Sequence, residues 1–543
     1  MNRNTEQHFA TMPEVNIGRS TFDRGHTNKL TFSTGDLVPI FIDEILPGDT
    51  VKMRMSEVVR MMTPIAPVMD NANMDIYFFF VPNRLVWEHW QEFMGENKTE
   101  PWIQETEYEV PQIIAPEAGW KKGSLADYLG IPTEIGGISV NALPFRGYCA
   151  IWNSWFRDEN LKNPCYISTG DADTQGTDKT TLGQNYDYVI DTEKGAAPCK
   201  VAKYHDYFTS ALPGAQKGPA VKIPLGDFAP LKGAEPKYLD AGTELQENMV
   251  GVPLGFTNST AGTFTIYTDD EYTTGMSQAH SIGLVTDLSK AVGATVNQLR
   301  QAFAVQKFYE RQARGGTRYI EMLKSHFGTT NPDFRMQRPE YLGGERIPIN
   351  INQVIQNSES ATTPQGTAAG YSVTVNSNKD LFTHSFTEHG FIFGLACVRT
   401  VHTYQQGIER FWNRKKMIHY YFPEFANLGE QAIENKEIYA QGTDEDEEAF
   451  GYQEAWAEYR YKPDRVCGEM RSNYAQSLDI WHYADDYSEL PRLSDEWIDE
   501  VKTNMDRTLA VQNHDQFFGD FYFGAIYTRP MPLYSIPGLI DHH

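Results

Sequence analysis

The chain has 543 residues, enough for roughly two to four domains or for one β-domain with large loops. Its net charge of −25 argues against a surface that binds polyanions along the whole chain, because neutralising phosphates requires clustered Lys and Arg. The five cysteines include no CxxC pair and the start MNRNTEQHFATMPEV has no apolar core, so we expect free thiols, no signal-directed secretion and no membrane insertion.

Residues 1–35 are polar and mixed in charge, which predicts an extended N-terminal arm. The following text, VPIFIDEILPGDTVKMRM, predicts two strands joined by the turn LPGD. In the second strand apolar residues such as Met53 and Met55 alternate with Lys52 and Arg54. That alternation is typical of a strand with one buried face.

The stretch IYFFFVP at 76–82 predicts a strand that is apolar on both faces, and FIFGLACVR at 391–399 repeats this pattern. A strand buried on both sides needs cover from helices, long loops or another subunit. Because the sequence predicts only a few helices, we expect a neighbouring copy of the chain to supply some of that cover.

The text SVNALPFRGYCAIWNSWFRDENL predicts the clearest helix of the first half. Its large apolar side chains recur at helical spacing and form one stripe, which favours a core-facing helix over a cofactor site. The stripe consists of Tyr148, Ile151, Trp152, Trp155 and Phe156.

The composition divides the rest of the chain. Residues 165–285 are rich in Gly, Thr, Asp and Pro without helical periodicity, which predicts a large insertion forming a surface protrusion. A helix then ends at Gly315-Gly316, and strands dominate from 345 onward. We therefore predict a mainly β protein, a sandwich or barrel, whose sheets are formed by residues 36–164 and 286–529 and are followed by an extended tail at 530–543.

No P-loop, GxSxG, HExxH, complete EF-hand or zinc spacing is present, and nothing in the sequence requires an enzyme, a cofactor or a metal. The nearest miss is DADTQG at 171–176, which resembles the start of a calcium loop but has Leu182 where the twelfth position needs Glu. The histidines in strand text, His384, His389 and His402, are expected to be structural.

Two basic clusters remain. Arg311, Arg314 and Arg318 flank the Gly-Gly turn, whereas Arg410, Arg414, Lys415 and Lys416 surround Phe411 and Trp412. Cations next to aromatic rings suit single-stranded nucleic acid, whose bases stack and whose phosphates pair. Ion pairs with acidic neighbours, within or between subunits, explain the same residues, and the acidic excess makes them available. Both interpretations stay open.

Long blocks of the sequence resemble the major capsid protein of microviruses, specifically the gokushovirus branch of small tailless phages with single-stranded DNA. The blocks include RMMTPIAPVMDNANMDIYFFFVPNRLVWEHWQEFMGE, NQLRQAFAVQKFYERQARGGTRYIEMLKSHFGTTNPDFRMQRPEYLGG and EHGFIFGLACVRTVHTYQQG. The resemblance covers residues 15–164 and 295–543. It implies an eight-stranded antiparallel jelly-roll barrel with long interstrand insertions and a few helices.

The resemblance also implies a function. Sixty copies would form a T=1 icosahedral shell around the DNA, with the insertion rising as protrusions at the threefold axes and used in attachment to a host surface receptor. It implies three further partners: an internal scaffolding protein, a small basic DNA-binding protein and a DNA pilot protein. The protein would be part of the virion and assemble in the bacterial cytoplasm, and the basic clusters would approach the DNA or the small basic protein.

The tail PMPLYSIPGLIDHH is interrupted by prolines and cannot form regular helix or a central strand. We expect its apolar residues to lie on the barrel or on an adjacent subunit. These residues are Met531, Leu533, Tyr534, Ile536 and Leu539.

A carbohydrate-active or sugar-binding β-sandwich is the alternative function, because Trp and Tyr are abundant. The adjacent acids Asp485 and Asp486 would point to opposite faces of a strand, so they make a poor catalytic pair.

Overall fold

The computed structural model describes residues 18–96, 106–179, 186–218, 296–357, 359 and 364–534, together with the backbone of four short strands between 231 and 286. The chain divides into two compact units, one comprising 1–215 with 313–543 and the other 216–312. The predicted insertion began at 165, whereas the second unit begins at 216, so residues 165–215 belong to the first unit.

The described strands follow in chain order. They are β1 (Ser20–Asp23), β2 (His26–Phe32), β3 (Val38–Ile45), β4 (Thr50–Met61), β5 (Ala72–Pro82), β6 (Gln112–Ile114), β7 (Ser139–Asn141), β8 (Thr174–Gln175), β9 (Leu231–Gly233), β10 (Leu254–Asn258), β11 (Phe264–Thr268), β12 (Leu284–Thr286), β13 (Glu340–Pro348), β14 (Ile351–Ile355), β15 (Ala368–Ser385), β16 (Gly390–Thr400), β17 (Glu430–Glu434), β18 (Ala449–Glu454) and β19 (Phe517–Arg529).

The α-helices of the described residues are short, with one exception. They are α1 (Trp90–Phe93), α2 (Leu125–Tyr128), α3 (Leu143–Ile151), α4 (Tyr188–Asp191), α5 (Val296–Gly315), α6 (Tyr319–Met322), α7 (Asn435–Ile438) and α8 (Thr503–Asp506). None of these helices is long and apolar enough to cross a bilayer.

Two antiparallel sheets form the centre of the first unit, and both are open. The first sheet has the order β1–β19–β4–β15–β14, with β2 also paired to β19, and the second has the order β13–β5–β16–β3. The described part of the predicted N-terminal arm thus supplies β1 and β2 to the edge of the first sheet. The prediction of a mainly β protein with antiparallel sheets is confirmed.

The main core lies between these two sheets. Inward-facing side chains of β4 alternate with mostly polar outward-facing ones, as its pattern predicted, whereas the outward face of β19 also carries Phe518, Tyr522 and Ile526. Phe523 of β19 meets Phe41 of β3 and Phe78 of β5, with ring centroids 5.0 and 6.3 Å apart. Such aromatic pairs add about 0.5–1.5 kcal/mol each to the free energy gained by burying their area.

The second sheet is also covered on its other face, and the cover comes from the same chain. Phe79 and Phe393, opposite one another in β5 and β16, are buried beneath α3 and the turn of helix at Trp152–Phe156. Gly147 lets α3 approach the sheet, because a Cβ there would lie 2.9 Å from Cζ of Phe393. The expected cover from a neighbouring copy is therefore not needed for Phe79 and Phe393, because α3 and the loops around it bury them within one chain.

The stripe predicted for this helix is confirmed as core-facing. Tyr148, Ile151 and Trp152 are fully buried. Trp155 and Phe156 are half-buried and pack on β5, where the Trp155 ring lies 5.4 Å from that of Phe79. The helix contributes large aromatic area at the place where the strand pattern required it.

A third apolar cluster positions the long segment that follows β16. Phe208 packs edge-on against Tyr404, with ring centroids 4.7 Å apart, and Phe450 of β18 and Ile433 of β17 also belong to the cluster.

In the second unit the described strands form two antiparallel pairs, β10 with β11 and β9 with β12.

Candidate nucleic-acid interface

The segment 408–428, which we call the aromatic segment, follows β16 and consists of short single turns of helix separated by extended residues. It begins four residues after Tyr404 of the third apolar cluster, and at its start the backbone N–H of Ile408 donates to the carbonyl of Lys436 in α7. The segment exposes an unusual number of large apolar side chains. These are Ile408, Phe411, Trp412, Met417, Ile418, Tyr420, Tyr421, Phe422 and Leu428.

A cavity of about 580 Å³ lies beside the beginning of this segment. Its walls combine aromatic rings with cationic side chains, and Glu409 stands among them. Glu409 pairs with Lys462 and Arg465, which hold the pKa of its carboxyl below the usual value although partial burial acts in the opposite direction. The cavity therefore carries cations that are partly neutralised by a carboxylate of the same chain.

Arg410 serves the fold. Its Nη1 donates to Oε1 of Glu437 at 2.9 Å and to the carbonyl of Ala432 at 2.7 Å. The Glu437 side chain is buried, and its other oxygen accepts from the hydroxyl of Tyr207 at 3.1 Å. Such a buried, charge-assisted network holds β17 and α7 in place, so this guanidinium is not available to a phosphate.

Arg414 is also engaged within the chain. Its Nη2 lies 3.0 Å from Oε1 of Glu458, and its guanidinium lies 4.4 Å above the ring of Tyr459. The next two residues differ: Lys415 and Lys416 are exposed, and within the described residues neither ammonium has a carboxylate partner within salt-bridge distance. The two lysines are thus the free cations of the aromatic segment.

The first predicted cluster is spread out. Arg314 pairs with Glu430 at 3.0 Å, so it reaches the same strand, β17, as Arg410. Arg318 instead pairs with Glu321 at 3.1 Å and donates to the carbonyl of Arg157 at 2.7 Å. Arg311 lies in the second unit, on α5, and is exposed. Four of the seven predicted basic residues therefore make internal ion pairs, one of the two interpretations that the sequence left open.

The exposed residues of the aromatic segment suit stacking on bases and weak electrostatic attraction to phosphates. Trp412 is 70% exposed, and its ring lies 4.8 Å from that of Phe411. Exposed aromatic rings stack on any base, and each such contact is worth about 1–3 kcal/mol. Lys415 and Lys416 follow within four residues. The arrangement can hold a short stretch of single strand without reading its sequence.

The cations on the other wall of the cavity are not among the residues predicted from the sequence. Lys462, Arg465 and Arg471 line it together with Tyr461. Their signal is the text EYRYKPDR at 458–465, in which aromatic and basic residues alternate. Because acidic residues surround this text, net charge concealed the pattern.

The described part of the C-terminal tail is exposed. Met531, Leu533 and Tyr534 have exposed side chains in the isolated chain, whereas Ile536 and Leu539 lie outside the described residues. The intersubunit role predicted for the tail stays a prediction.

In the stretch 171–176, which resembles the start of a calcium loop, the carboxylates accept hydrogen bonds from other residues of the protein. Asp171 accepts from the indole of Trp87 at 2.7 Å and from the imidazole of His89 at 2.9 Å, and Asp173 accepts from the backbone of Gln112 at 2.9 Å. No cluster of three side chains able to hold a metal occurs within the part of the chain that the structure describes.

Asp485 and Asp486 do not form a catalytic pair. Asp485 is buried and bound by His402, whereas Asp486 is exposed and accepts from Gln406 at 3.2 Å. The prediction that His402 is structural is confirmed, since both of its ring nitrogens contact buried carboxylates.

Comparison with known proteins gives a consistent answer. The sequence profile of the family described as capsid protein (F protein) matches residues 10–539. The capsid protein VP1 of Bdellovibrio phage phiMH2K is 42% identical over 98% of each chain. VP1 of Chlamydia phage 1 and VP1 of Spiroplasma virus 4 are 39% and 40% identical, each over 98% of this chain and 97% of the relative. The chain therefore belongs to the capsid protein (F protein) family of phages and is a structural protein of the virion, not an enzyme.

Proposed function

We propose that sixty copies of this capsid protein assemble into a T=1 icosahedral shell that encloses a single-stranded DNA genome. The observation that carries the proposal is the match to capsid proteins along nearly the whole chain, from residue 10 to 539. The resemblance to gokushoviruses supports the size of the shell. Many individually modest contacts, repeated by symmetry, then sum to a stable particle.

Contacts between copies need apolar surface that the single chain leaves exposed, because permanent interfaces are large and apolar. The outer face of the first sheet offers Tyr522 and Ile526 of β19, and the tail offers Met531, Leu533 and Tyr534. In the proposed shell the tail, residues 530–543, lies on an adjacent subunit.

The size of the purified particle tests the proposed shell directly. The purified protein should elute as a megadalton particle and appear as uniform spheres in electron micrographs. A version that ends at residue 529 should remain folded but give fewer particles. A full-length protein that stays a small oligomer at all concentrations would contradict the shell, and an unchanged particle yield after truncation would contradict the role of the tail alone.

In the proposed particle the exposed part of the aromatic segment faces the genome. Trp412 stacks on bases, and Lys415 and Lys416 pair with phosphates, whereas Arg314, Arg318, Arg410 and Arg414 stabilise the subunit. Arg311 is available on α5 for the DNA or for the small basic protein's acidic groups. A wall that carries free cations on a chain of net charge −25 lowers the repulsion of the DNA locally.

Reversing the charge of Lys415 and Lys416 distinguishes a contact with DNA from a role in shell assembly. The double variant Lys415→Glu/Lys416→Glu should form particles that package less DNA. The matched control is Lys121→Glu/Lys122→Glu, another adjacent lysine pair, which should package normally. Equal DNA content in both double variants would exclude the aromatic segment as a DNA contact.

The insertion is proposed to form the threefold protrusions and to bind the host receptor. Its support is the long, Gly- and Thr-rich composition of the part from 216 onward, which is typical of recognition loops. Replacing 234–253 by a short Gly-Ser linker should leave particles intact but abolish adsorption to the host. Particles that adsorb normally would exclude this region.

The remaining partners follow from the family resemblance. We propose assembly in the bacterial cytoplasm with an internal scaffolding protein, and packaging together with a small basic DNA-binding protein and a DNA pilot protein. Co-expression with each candidate protein from the same genome, followed by analysis of particle composition, tests each association.

A further inference from the structure

A glutamate interrupts the apolar face of β4. Glu57 lies on the inward face between Met55 and Val59, and it is only 1% exposed. Its neighbour across the strand pair with β19 is Phe521, a core residue. A carboxyl in this position has been moved from water into the apolar interior of the sandwich, which is costly for its charged form.

A second carboxyl reaches the same place from the opposite sheet. Glu345 belongs to β13, its side chain is 1% exposed, and its strand partner Ile76 is a core residue. Oε2 of Glu345 accepts from the amide of Asn376 at 3.0 Å, and Asn376 is the residue paired with Glu57 in the first sheet. The two glutamates thus meet at one residue of β15, where the strand has a bulge.

One cation serves both acids. Nζ of Lys379, on the other side of the bulge, lies 2.6 Å from Oε2 of Glu345. Oε1 of Glu345 and both carboxyl oxygens of Glu57 have no hydrogen-bond partner among the described residues. Because the Lys379 side chain is 51% exposed, two buried carboxylates and this one ammonium leave a net negative charge at the edge of the core. A single proton removes that charge and supplies the missing donor.

We propose that Glu57 and Glu345 form a proton-binding site that links the two sheets of the capsid subunit. The proton comes from solvent and resides on Glu57, with Oε1 of Glu345 available as its acceptor. When the site is occupied, the sandwich holds one carboxylic acid and one carboxylate neutralised by Lys379. When the proton leaves, two carboxylates repel each other across the core and the subunit is weakened.

The surroundings support a titration near neutrality. The charged groups that act on Glu57 are Glu345 from β13 and Lys379 from β15, while β19 and β4 itself present Phe521, Met55 and Val59. Burial and then the charge of Glu345 raise the pKa of Glu57 from 4.5 to about 7, although the nearby amide of Asn376 and the charge of Lys379 act in the opposite direction. Because the folded form holds this proton more tightly than the unfolded chain, the contribution of Glu57 to stability is complete below pH 4.5 and is lost as pH rises to about 7.

Thermal unfolding of the full-length protein at pH 5 and pH 8 tests the site. The wild type should unfold at a lower temperature at pH 8 than at pH 5. Glu57→Gln keeps the shape but cannot ionise, so its midpoint should exceed that of the wild type at pH 8 and fall less between pH 5 and pH 8, the remaining fall coming from groups such as His402. The matched control is Glu44→Gln, an exposed carboxyl on β3, which should behave as the wild type does.

A second variant and a second readout keep the test decisive if Glu57→Gln does not fold. Glu345→Gln removes the repelling charge and should also flatten the pH dependence. The infrared carbonyl band of protonated carboxyls at pH 6 should be stronger in the wild type than in the variant at position 57. Equal pH dependence in wild type and variants would overturn the proposal. So would a rise in the wild-type midpoint at pH 8 on adding calcium, since the pair would then be a cation site.

Discussion

His402 Nε2 lies 2.9 Å from Oε2 of Glu500, and both side chains are buried. On the other side of the ring, Nδ1 lies 3.0 Å from Oδ2 of Asp485. The two carboxylates outweigh the effect of burial and raise the pKa of His402 to about 10. A charged imidazole therefore joins the end of β16 to the segment that leads into α8.

Replacing this imidazole should destabilise the subunit strongly. His402→Ala leaves two buried carboxylates without their cation, and breaking such a buried pair costs about 3–5 kcal/mol. Urea unfolding measures the loss. His89→Ala, which removes an imidazole from the partly exposed pair with Asp171, is the control and should cost about 1 kcal/mol or less. Equal losses would show that burial does not decide the strength of these pairs.

The contacts of His402 with Asp485 and Glu500 also predict that the free energy of unfolding decreases as pH rises. The pKa of His402 is raised from 6.5 to about 10, so its contribution is complete below pH 6.5 and is lost as pH rises through 10. Glu57 acts in a lower window, from pH 4.5 to about 7. A wild-type protein whose unfolding free energy stayed constant between pH 7 and pH 10 would contradict the assignment of charge to His402.

Asp75, in the largely apolar strand β5, provides a third test. Its carboxylate accepts from Arg399 Nη2 at 2.5 Å and from Arg346 Nε at 2.6 Å, and these bonds hold its pKa below the usual value against the effect of burial. Arg399 is largely buried and also donates to the hydroxyl of Tyr77, whereas Arg346 is 57% exposed. Arg399→Ala should therefore cost about 3–5 kcal/mol and Arg346→Ala about 1 kcal/mol in chemical unfolding. The reverse order would refute this ranking.

The close contact of α3 with the second sheet predicts that Gly147 cannot be enlarged. Gly147→Val forces a side chain against the buried ring of Phe393 and should lower the free energy of unfolding by about 1–3 kcal/mol. Ala150→Val, on a half-buried position of the same helix, should cost less than about 1 kcal/mol. A tolerated valine at position 147 would mean that the helix does not lie directly on β16.

Thiol labelling should distinguish one cysteine from the other four. Cys467 is exposed, whereas Cys149, Cys165, Cys199 and Cys397 are buried. Burial raises the pKa of the Cys397 thiol to about 12, so its reactive thiolate is scarce at neutral pH. Iodoacetamide should modify Cys467 in the native protein and the others only after denaturation, as read by peptide mass spectrometry. Labelling of Cys397 at the rate of Cys467 would contradict the packing of the second sheet.

Local patterns along the chain predicted much of this protein. A few neighbouring residues are enough to show a strand or helix period, because these periods are local. They predicted the alternation in β4, the two-sided strands β5 and β16, and the apolar stripe of α3. Ordered blocks of sequence also identified the capsid family. The position of Glu57 was visible in the same text, but its significance was not, since a single acid on an apolar face has no meaning until its surroundings are known.

Only the tertiary structure decided which charged side chains have an ion-pair partner. Arg399 meets Asp75 across 324 residues, and Glu345 reaches β15 from a different sheet. Ion pairs depend on distances of a few ångströms between side chains, and those distances follow from strand order and loop path, which leave no short-range trace in the sequence. For this reason the sequence by itself determined the β architecture and the family, whereas the fold determined that four of the predicted arginines make internal ion pairs and that two glutamates share the core.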